Sequence, residues 1–180
     1  TITGNLSWAA GLAFYHIKTD RLNLKEYEGQ MTLYDAYIAQ GLIRDDERNG
    51  GNVTQLRAGL VYDSRNHDSD PTRGENIELS LVYAPDLIDA GGYSNLGVHL
   101  SLCQYLPIFS DRLTFAYRAL VQAKLWGEIP YYFTNNINSM FFRKMYTEGL
   151  GGNASVRGLN RNGVLGDGFL MLNTELRWRI

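Results

Sequence analysis

The sequence predicts an all-β fold, in which an antiparallel sheet forms part of the wall of a transmembrane β-barrel. Three observations lead to this prediction. Apolar and polar residues alternate along about six long segments, which is the period of a strand with two unlike faces. The connections between these segments are long or short in a regular order. The chain is also rich in tyrosine and glycine, with 12 and 19 residues, but has only 4 prolines. Membrane barrels combine these features, and we assign residues 1–180 to one such domain.

The first strand is predicted over residues 5–19. One of its faces is small or polar, and the other carries Leu6, Trp8, Ala10, Leu12 and Phe14. A tilted strand needs about 9–11 residues to cross a bilayer, so this segment is long enough. We expect the apolar face to meet lipid and the small, polar face to look into the lumen.

The polar connection over residues 20–52 contains a second pattern. Five apolar or aromatic residues recur there at helical spacing: Leu33, Tyr34, Tyr37, Ile38 and Leu42. We therefore predict a short amphipathic helix over residues 33–42, in a loop at the mouth of the barrel. The acidic residues 45–47 follow it. Because the sequence pattern of a calcium-binding loop is absent around them, we interpret them as a solvated loop face rather than as calcium ligands.

Strands two and three are predicted over residues 53–65 and 75–85, on either side of a short turn. Their apolar faces carry Leu56, Ala58, Leu60 and Tyr62, and then Ile77, Leu79, Leu81 and Tyr83. Their other faces carry Gln55, Arg57, Asp63, Arg65, Asn76 and Glu78. Charges are costly in an apolar core but ordinary in a polar or hydrated lumen, where they pair or stay solvated.

Strands four, five and six are predicted over residues 95–106, 112–126 and 169–180, with Pro107 ending strand four. Their apolar faces continue the pattern, with Leu96, Val98, Leu100 and Leu102, then Leu113, Phe115, Tyr117, Ala119, Val121, Ala123 and Leu125, and finally Leu170, Leu172, Leu176 and Trp178. The connections after strands one and five are long, and those after strands two and four are short. In bacterial outer-membrane barrels short turns face the periplasm and long loops face outside, which predicts the orientation of the chain.

Six strands are too few to close a membrane barrel, which needs about eight. An open sheet in lipid leaves unpaired backbone groups at both edges, each at a cost of several kcal/mol. We therefore expect the sequence to be a piece of a larger barrel, or its remaining strands to come from elsewhere.

The composition argues against several other classes. Lysine and arginine total 17 and aspartate and glutamate 19, so a basic surface for nucleic acid is not expected. Cys103, the one cysteine, excludes a disulfide framework and a multi-cysteine metal site. His16, His67 and His99 are scattered over different segments, and local spacing assembles no metal cluster from them. We predict no cofactor, no metal site and no enzymatic activity.

The longest connection contains a glycine-rich stretch over residues 151–168. Glycine loses more backbone freedom on ordering than any other residue, so this loop needs a firm contact to hold it. Arg157 is the strong multidentate donor at its centre, and arginine binds carboxylates through two parallel hydrogen bonds. We expect Arg157 to reach a carboxylate on the barrel wall.

Two motifs resemble those of the BamA-type family of outer-membrane assembly and translocation proteins, whose barrels are called bacterial surface antigen domains. The first is similar to the family's Val-Arg-Gly-aromatic loop and consists of Gly151, Gly152, Val156, Arg157, Gly158 and Leu159. The second is similar to the family's Asp-x-Arg turn followed by Pro-x-x-Gly and consists of Asp63, Arg65, Pro71 and Gly74. Leu159 departs from the family, which usually has an aromatic residue there. The resemblance covers essentially the whole chain.

The resemblance implies about sixteen strands in the complete barrel, with these six in its second half. It also implies that the loop turns into the lumen and that Arg157 pairs with Glu175 on the last strand. The implied protein lies in the bacterial outer membrane and assists the insertion or passage of client proteins. Its partners would be outer-membrane lipid, client outer-membrane proteins, and periplasmic modules or lipoproteins. Two alternatives remain, namely the barrel of a lipase-linked exporter and a passive outer-membrane pore.

Overall fold

One antiparallel sheet dominates the structure. The computed structural model describes residues 4–20, 25, 29–88, 90–109, 112–134, 137, 150–151, 155–156, 158–159 and 166–179. Six strands pair in the order of the sequence, and they are β1 (Leu6–Lys18), β2 (Gly50–Asp63), β3 (Gly74–Ala84), β4 (Asn95–Phe109), β5 (Leu113–Gly127) and β6 (Gly168–Trp178). The prediction of an all-β, antiparallel fold of six strands is confirmed.

The two faces of the sheet differ in burial. On the outer face, Leu12 is 71% exposed and Leu81 is 51% exposed. On the inner face, Glu78 and His99 are completely buried. Apolar side chains therefore lie on the exposed face and polar ones on the buried face, which is the reverse of the usual distribution in a protein surrounded by water.

The connections gather at two ends of the sheet. Residues 19–49, 85–94 and 128–167 join β1 to β2, β3 to β4 and β5 to β6, and they leave from one end, which we call the loop end. Residues 64–73 and 110–112 join β2 to β3 and β4 to β5 at the opposite end, which we call the turn end. The antiparallel order thus places the two longest connections, residues 19–49 and 128–167, at the same end, whereas residues 85–94 are no more numerous than residues 64–73 at the turn end.

A short helix, α1 (Leu33–Ala39), lies in the first connection. Thr32 caps its start, because the hydroxyl accepts from the Asp35 amide while the Asp35 carboxylate accepts from the Thr32 amide, a reciprocal capping box. Gly41 has a φ of 71°, the left-handed conformation that commonly ends a helix. The predicted helix is present, but it ends at Ala39 rather than at Leu42. Within the described residues, no helix is both long and apolar enough to cross a membrane.

Pro107 does not end strand four, so that prediction was wrong. β4 continues to Phe109, and Pro107 lies opposite Thr114 next to a register shift between Pro107 and Phe109. Proline has no amide hydrogen to give to the ladder, and it is tolerated within a sheet at an edge or an irregularity. The interruption in pairing accommodates Pro107, and the strand resumes after it.

β5 carries one extra residue near the loop end. Gly97 pairs with Lys124 and Leu96 pairs with Trp126, which leaves Leu125 between them without a partner in the register. Such a bulge changes which way the following side chain points. As a result both Leu125 and Trp126 are exposed, although consecutive residues of a regular strand point to opposite faces.

Candidate functional site: the two ends and the buried face

Arg44 connects the three loops at the loop end. Its Nη1 lies 2.7 Å from Oε2 of Glu128, and its Nε donates to the hydroxyl of Tyr93 at 3.1 Å. Its backbone amide donates to Oε2 of Glu47 at 3.1 Å. The guanidinium also lies 4.7 Å from the centre of the Tyr93 ring, within cation–π range. One arginine therefore holds a residue from each of the other two connections at the loop end.

The pKa values of Arg44 and Tyr93 are both shifted further above neutral pH. The hydrogen bond to Glu128 raises the pKa of Arg44 above its ordinary value, against the opposing effect of burial. Burial raises the pKa of the Tyr93 hydroxyl, and its hydrogen bond to Asp46 raises it further. Tyr93 therefore stays neutral near pH 7, where its hydroxyl accepts from Arg44 and donates to Asp46 at 2.8 Å.

Glu47 does not lie on a solvated face, so the interpretation of the acidic run was wrong for this residue. Glu47 is buried, and its Oε1 accepts from the Tyr131 amide at 3.3 Å. Asp45 and Asp46 are exposed, as interpreted. The reason is that the run forms a single 3-10 turn, Asp45–Glu47, which points its last member back under the loops. In the part of the chain that the structure describes, no group of three acidic, histidine or cysteine residues is placed to hold a metal ion.

At the turn end, all four residues of the predicted turn motif lie in or next to the connection between β2 and β3. Arg65 binds Asp63 through two hydrogen bonds, with Nε–Oδ1 at 2.9 Å and Nη2–Oδ2 at 2.6 Å. This contact raises the pKa of Arg65. Pro71 is buried. Gly74 has a φ of 95°, and a side chain there would collide with the carbonyl oxygen of Ser64, so glycine is needed at this position.

Asn66, which was not among the residues predicted from the sequence, organises the same turn. Its Oδ1 accepts from the amides of Thr72 and Arg73 at 3.0 and 3.2 Å, while its Nδ2 donates to the Thr72 hydroxyl at 2.9 Å. Asparagine side chains often replace backbone partners in turns. Its position in a turn-rich segment was the available signal.

The described part of the glycine-rich loop contacts the inner face of β6. Ser155 is buried, and its hydroxyl accepts from the Gly151 amide at 2.7 Å and donates to the Gly151 carbonyl at 2.8 Å. The side chain of Asn173 on β6 donates to the Ser155 carbonyl at 2.9 Å. Nothing in local spacing relates Asn173 to Ser155, so this contact could not be predicted from the sequence.

The structure describes only some of the predicted residues of the loop motif. Gly151, Val156, Gly158 and Leu159 are described, and they lie close together in the chain around Ser155. Gly152 and Arg157 lie outside the described residues, so the predicted pairing of Arg157 with Glu175 also lies outside them. The Glu175 carboxylate accepts from Nε and Nη2 of Arg177, each at 3.0 Å.

Ionisable side chains are buried at the middle of the inner face. Nε2 of His99 lies 3.8 Å from Oε1 of Glu78, and both side chains are completely buried. Ser80, His99 and Gln122 stand in register on β3, β4 and β5. Burying such groups is costly unless they are hydrogen-bonded, and among the described residues neither ring nitrogen of His99 nor the Ser80 hydroxyl has a hydrogen-bond partner.

Comparisons with known proteins gave no match. Protein-family models, curated proteins and solved structures were compared with the chain, and none of the three matched it.

Replacing Arg44 tests its role in joining the loops. Arg44→Met removes the bonds to Glu128 and Tyr93 but keeps an apolar stem. Because the side chain is about half exposed, we expect a loss of only about 1 kcal/mol in local stability. Amide hydrogen exchange at residues 128–134 is then expected to speed up roughly fivefold. Arg48→Met is the matched control, because the Arg48 side chain pairs with the exposed Asp45. Equal exchange rates in the two variants would contradict the role of Arg44.

Replacing Asn173 tests what holds the glycine-rich loop. Asn173→Ala removes the donor to the Ser155 carbonyl, at an expected cost of about 1 kcal/mol. Cleavage by added protease within residues 150–167, quantified by mass spectrometry, is expected to rise several-fold. Thr174→Ala, at the neighbouring exposed position, is the control and should leave cleavage unchanged. Unchanged cleavage in Asn173→Ala would show that other contacts hold the loop.

Proposed function

We propose that the chain is part of the wall of a bacterial outer-membrane β-barrel of the assembly or translocation type, which assists the insertion or passage of client proteins. The observation that carries the membrane location is the course of the apolar band across the outer face. The role in assembly is carried by the two sequence motifs.

The apolar band runs at a slope across the six strands. On β1 the band is centred near Ala10. Successive pairs across the sheet, Ala10–Ala58, Ala58–Leu81, Leu81–Val98 and Val98–Ala123, place Ala10 level with Ala123 of β5. On β6 it is centred near Thr174, which is level with Tyr117 of β5. From the first strand to the last, the centre therefore moves along the strands by the distance from Ala123 to Tyr117.

The slope corresponds to a strand tilt. The shift is about six residues, or roughly 20 Å at ~3.3 Å per residue, and it accumulates over five strand spacings of ~4.8 Å, about 24 Å in all. The strands are then tilted by about 40° from the perpendicular to the band. Strands of transmembrane barrels tilt by ~35–45°. A flat layer of lipid explains this slope, because it requires the apolar residues of all six strands to lie at the same depth. Water around the outer face would not require the apolar residues to lie at a common height.

The burial of the inner face favours a filled barrel over a passive pore. Gln55, Glu78 and His99 are at most 1% exposed, whereas a pore needs inner side chains that face open water. Ser155, in the glycine-rich loop, is bound to the inner face through Asn173. A loop inside the lumen would brace the wall while the barrel lowers the barrier for client strands to enter lipid.

A charged residue in the middle of the band tests the membrane location. Leu81→Lys is expected to cost about 2–4 kcal/mol, because Leu81 would lie near the bilayer midplane. Ser69→Lys, in the exposed turn, is the control and should change the free energy of unfolding by less than about 0.5 kcal/mol. Urea unfolding in phosphatidylcholine vesicles, followed by the fluorescence of the three tryptophans, measures both. If Leu81→Lys costs no more than the control, the outer face does not meet lipid.

Depletion in the source bacterium tests the role in assembly. Removing the intact protein is expected to lower the amounts of unrelated outer-membrane barrel proteins several-fold, as measured by quantitative proteomics of isolated membranes. Complementation with Ser69→Lys should restore them, and complementation with Leu81→Lys should not. Normal amounts of barrel proteins together with reduced solute uptake would instead identify a pore and contradict the assembly role.

A further inference from the structure

The segment that follows β3 bends over the outer face at the loop end. Asn52, on the outer face of β2, donates its Nδ2 to the carbonyl of Ile88 at 3.1 Å, and its Oδ1 lies 2.8 Å from Nδ1 of His16 on β1. The alternation also places Thr54 on the outer face, yet Thr54 is 6% exposed whereas Leu56 is 46% exposed. The segment therefore covers the upper edge of the outer face at β1 and β2.

Two large apolar residues, Leu87 and Ile88, form the tip of this segment, and both are exposed. Ile88 has a φ of 53° and is the single non-glycine residue with a positive φ among the described residues. A β-branched residue is strained in this conformation. Asparagine or glycine would adopt it more readily, and a polar side chain would suit water better. Isoleucine here indicates an apolar environment that the described part of the chain does not provide.

The level of Asn52 relative to the apolar band identifies that environment. The band is centred on β2 near Gly59, about seven residues from Asn52, which corresponds to roughly 23 Å along the strand. At a tilt of about 40°, Asn52 lies about 18 Å from the midplane, and the apolar band of a membrane barrel extends only about 12 Å from it. Ile88, bound to Asn52, therefore lies in the layer where headgroups meet acyl chains. The exposed Lys18, on the outer face of β1, lies farther along the same end and can reach lipid phosphates.

We propose that Leu87 and Ile88 insert into the surface of the lipid bilayer as an interfacial anchor. The partner is the headgroup layer of the leaflet at the loop end. The anchor rests on the proposed membrane location of the outer face, and it goes further by assigning to lipid a loop that lies outside the strands. It would limit how far the sheet slides along the bilayer normal, because the tip enters the headgroup layer while His16 and Asn52 hold its backbone to β1 and β2.

The test measures the depth of single fluorescent labels. Cys103, the one cysteine of the sequence, is replaced by serine, or by alanine if the serine variant does not fold. A bimane label is then attached to Ile88→Cys, Leu81→Cys or Asp68→Cys in the intact protein, reconstituted in phosphatidylcholine vesicles. Retained β-sheet circular dichroism establishes that each labelled protein is folded. Quenchers are lipids with a nitroxide at the headgroup, lipids with a nitroxide deep in the acyl chain, and aqueous iodide.

The deep nitroxide is expected to quench the label at position 81 more than the labels at the other two positions. The headgroup nitroxide is expected to quench the label at position 88 at least about twofold more than the label at position 68. If position 81 is quenched by the deep nitroxide and position 88 no more than position 68, the anchor is wrong and the membrane location stands. If position 88 is shielded from both lipid quenchers and from iodide, protein covers the tip and the anchor is again wrong. If position 81 is not quenched, the membrane location fails and the anchor fails with it.

Discussion

The structure depends on a sheet whose polarity is inverted, with apolar side chains exposed and polar side chains buried. Exposed apolar surface costs roughly 25 cal/mol per Å² in water, and soluble monomers rarely keep continuous apolar patches larger than a few hundred Å². Here the exposed stripe crosses all six strands, from Trp8 and Leu12 on β1 to Leu170 and Trp178 on β6. Meanwhile Glu78 and His99 are completely buried. The proposed apolar medium outside the sheet would cover the exposed stripe and remove this cost.

The two ends of the sheet are stabilised in different ways. The turn between β2 and β3 is held by local contacts, in which Asp63, Arg65 and Asn66 bind partners within seven positions in the chain. The loop end is held by contacts between distant segments, centred on Arg44. One long contact also reaches the turn end, because Arg179 donates to the carbonyl of Asp70 at 3.2 Å. β6 lies three strands from β3, so this contact joins the two sides of the turn end.

The parts of the structure that depend on a local pattern could be predicted from the sequence. A period of two fixes which side chains share a face, so the strands and their faces followed from alternation alone. The predictions were wrong where local backbone geometry departed from the repeating pattern. The three cases are the irregular pairing that accommodates Pro107, the left-handed Gly41 that ends α1 early, and the 3-10 turn that buries Glu47. The loop end could not be predicted, because Arg44 bonds to residues 49 and 84 positions away. Many arginines and acids could have formed such pairs, and the sequence does not single out one.

The slope of the band also constrains any strand added beside β1 or β6. Its centre shifts by about six residues over five steps, or a little more than one residue per strand. In the proposed barrel, a strand that failed to follow this shift would place polar residues in lipid or apolar ones in water. Summed around a closed barrel, such shifts give the shear that fixes tilt and diameter together. A barrel of sixteen such strands would accumulate a shift of about nineteen residues. Since a one-residue slip exchanges the faces of a strand, the pairing at both edges must keep the alternation as well as the slope. The band thus sets the register of strands that pair with this sheet.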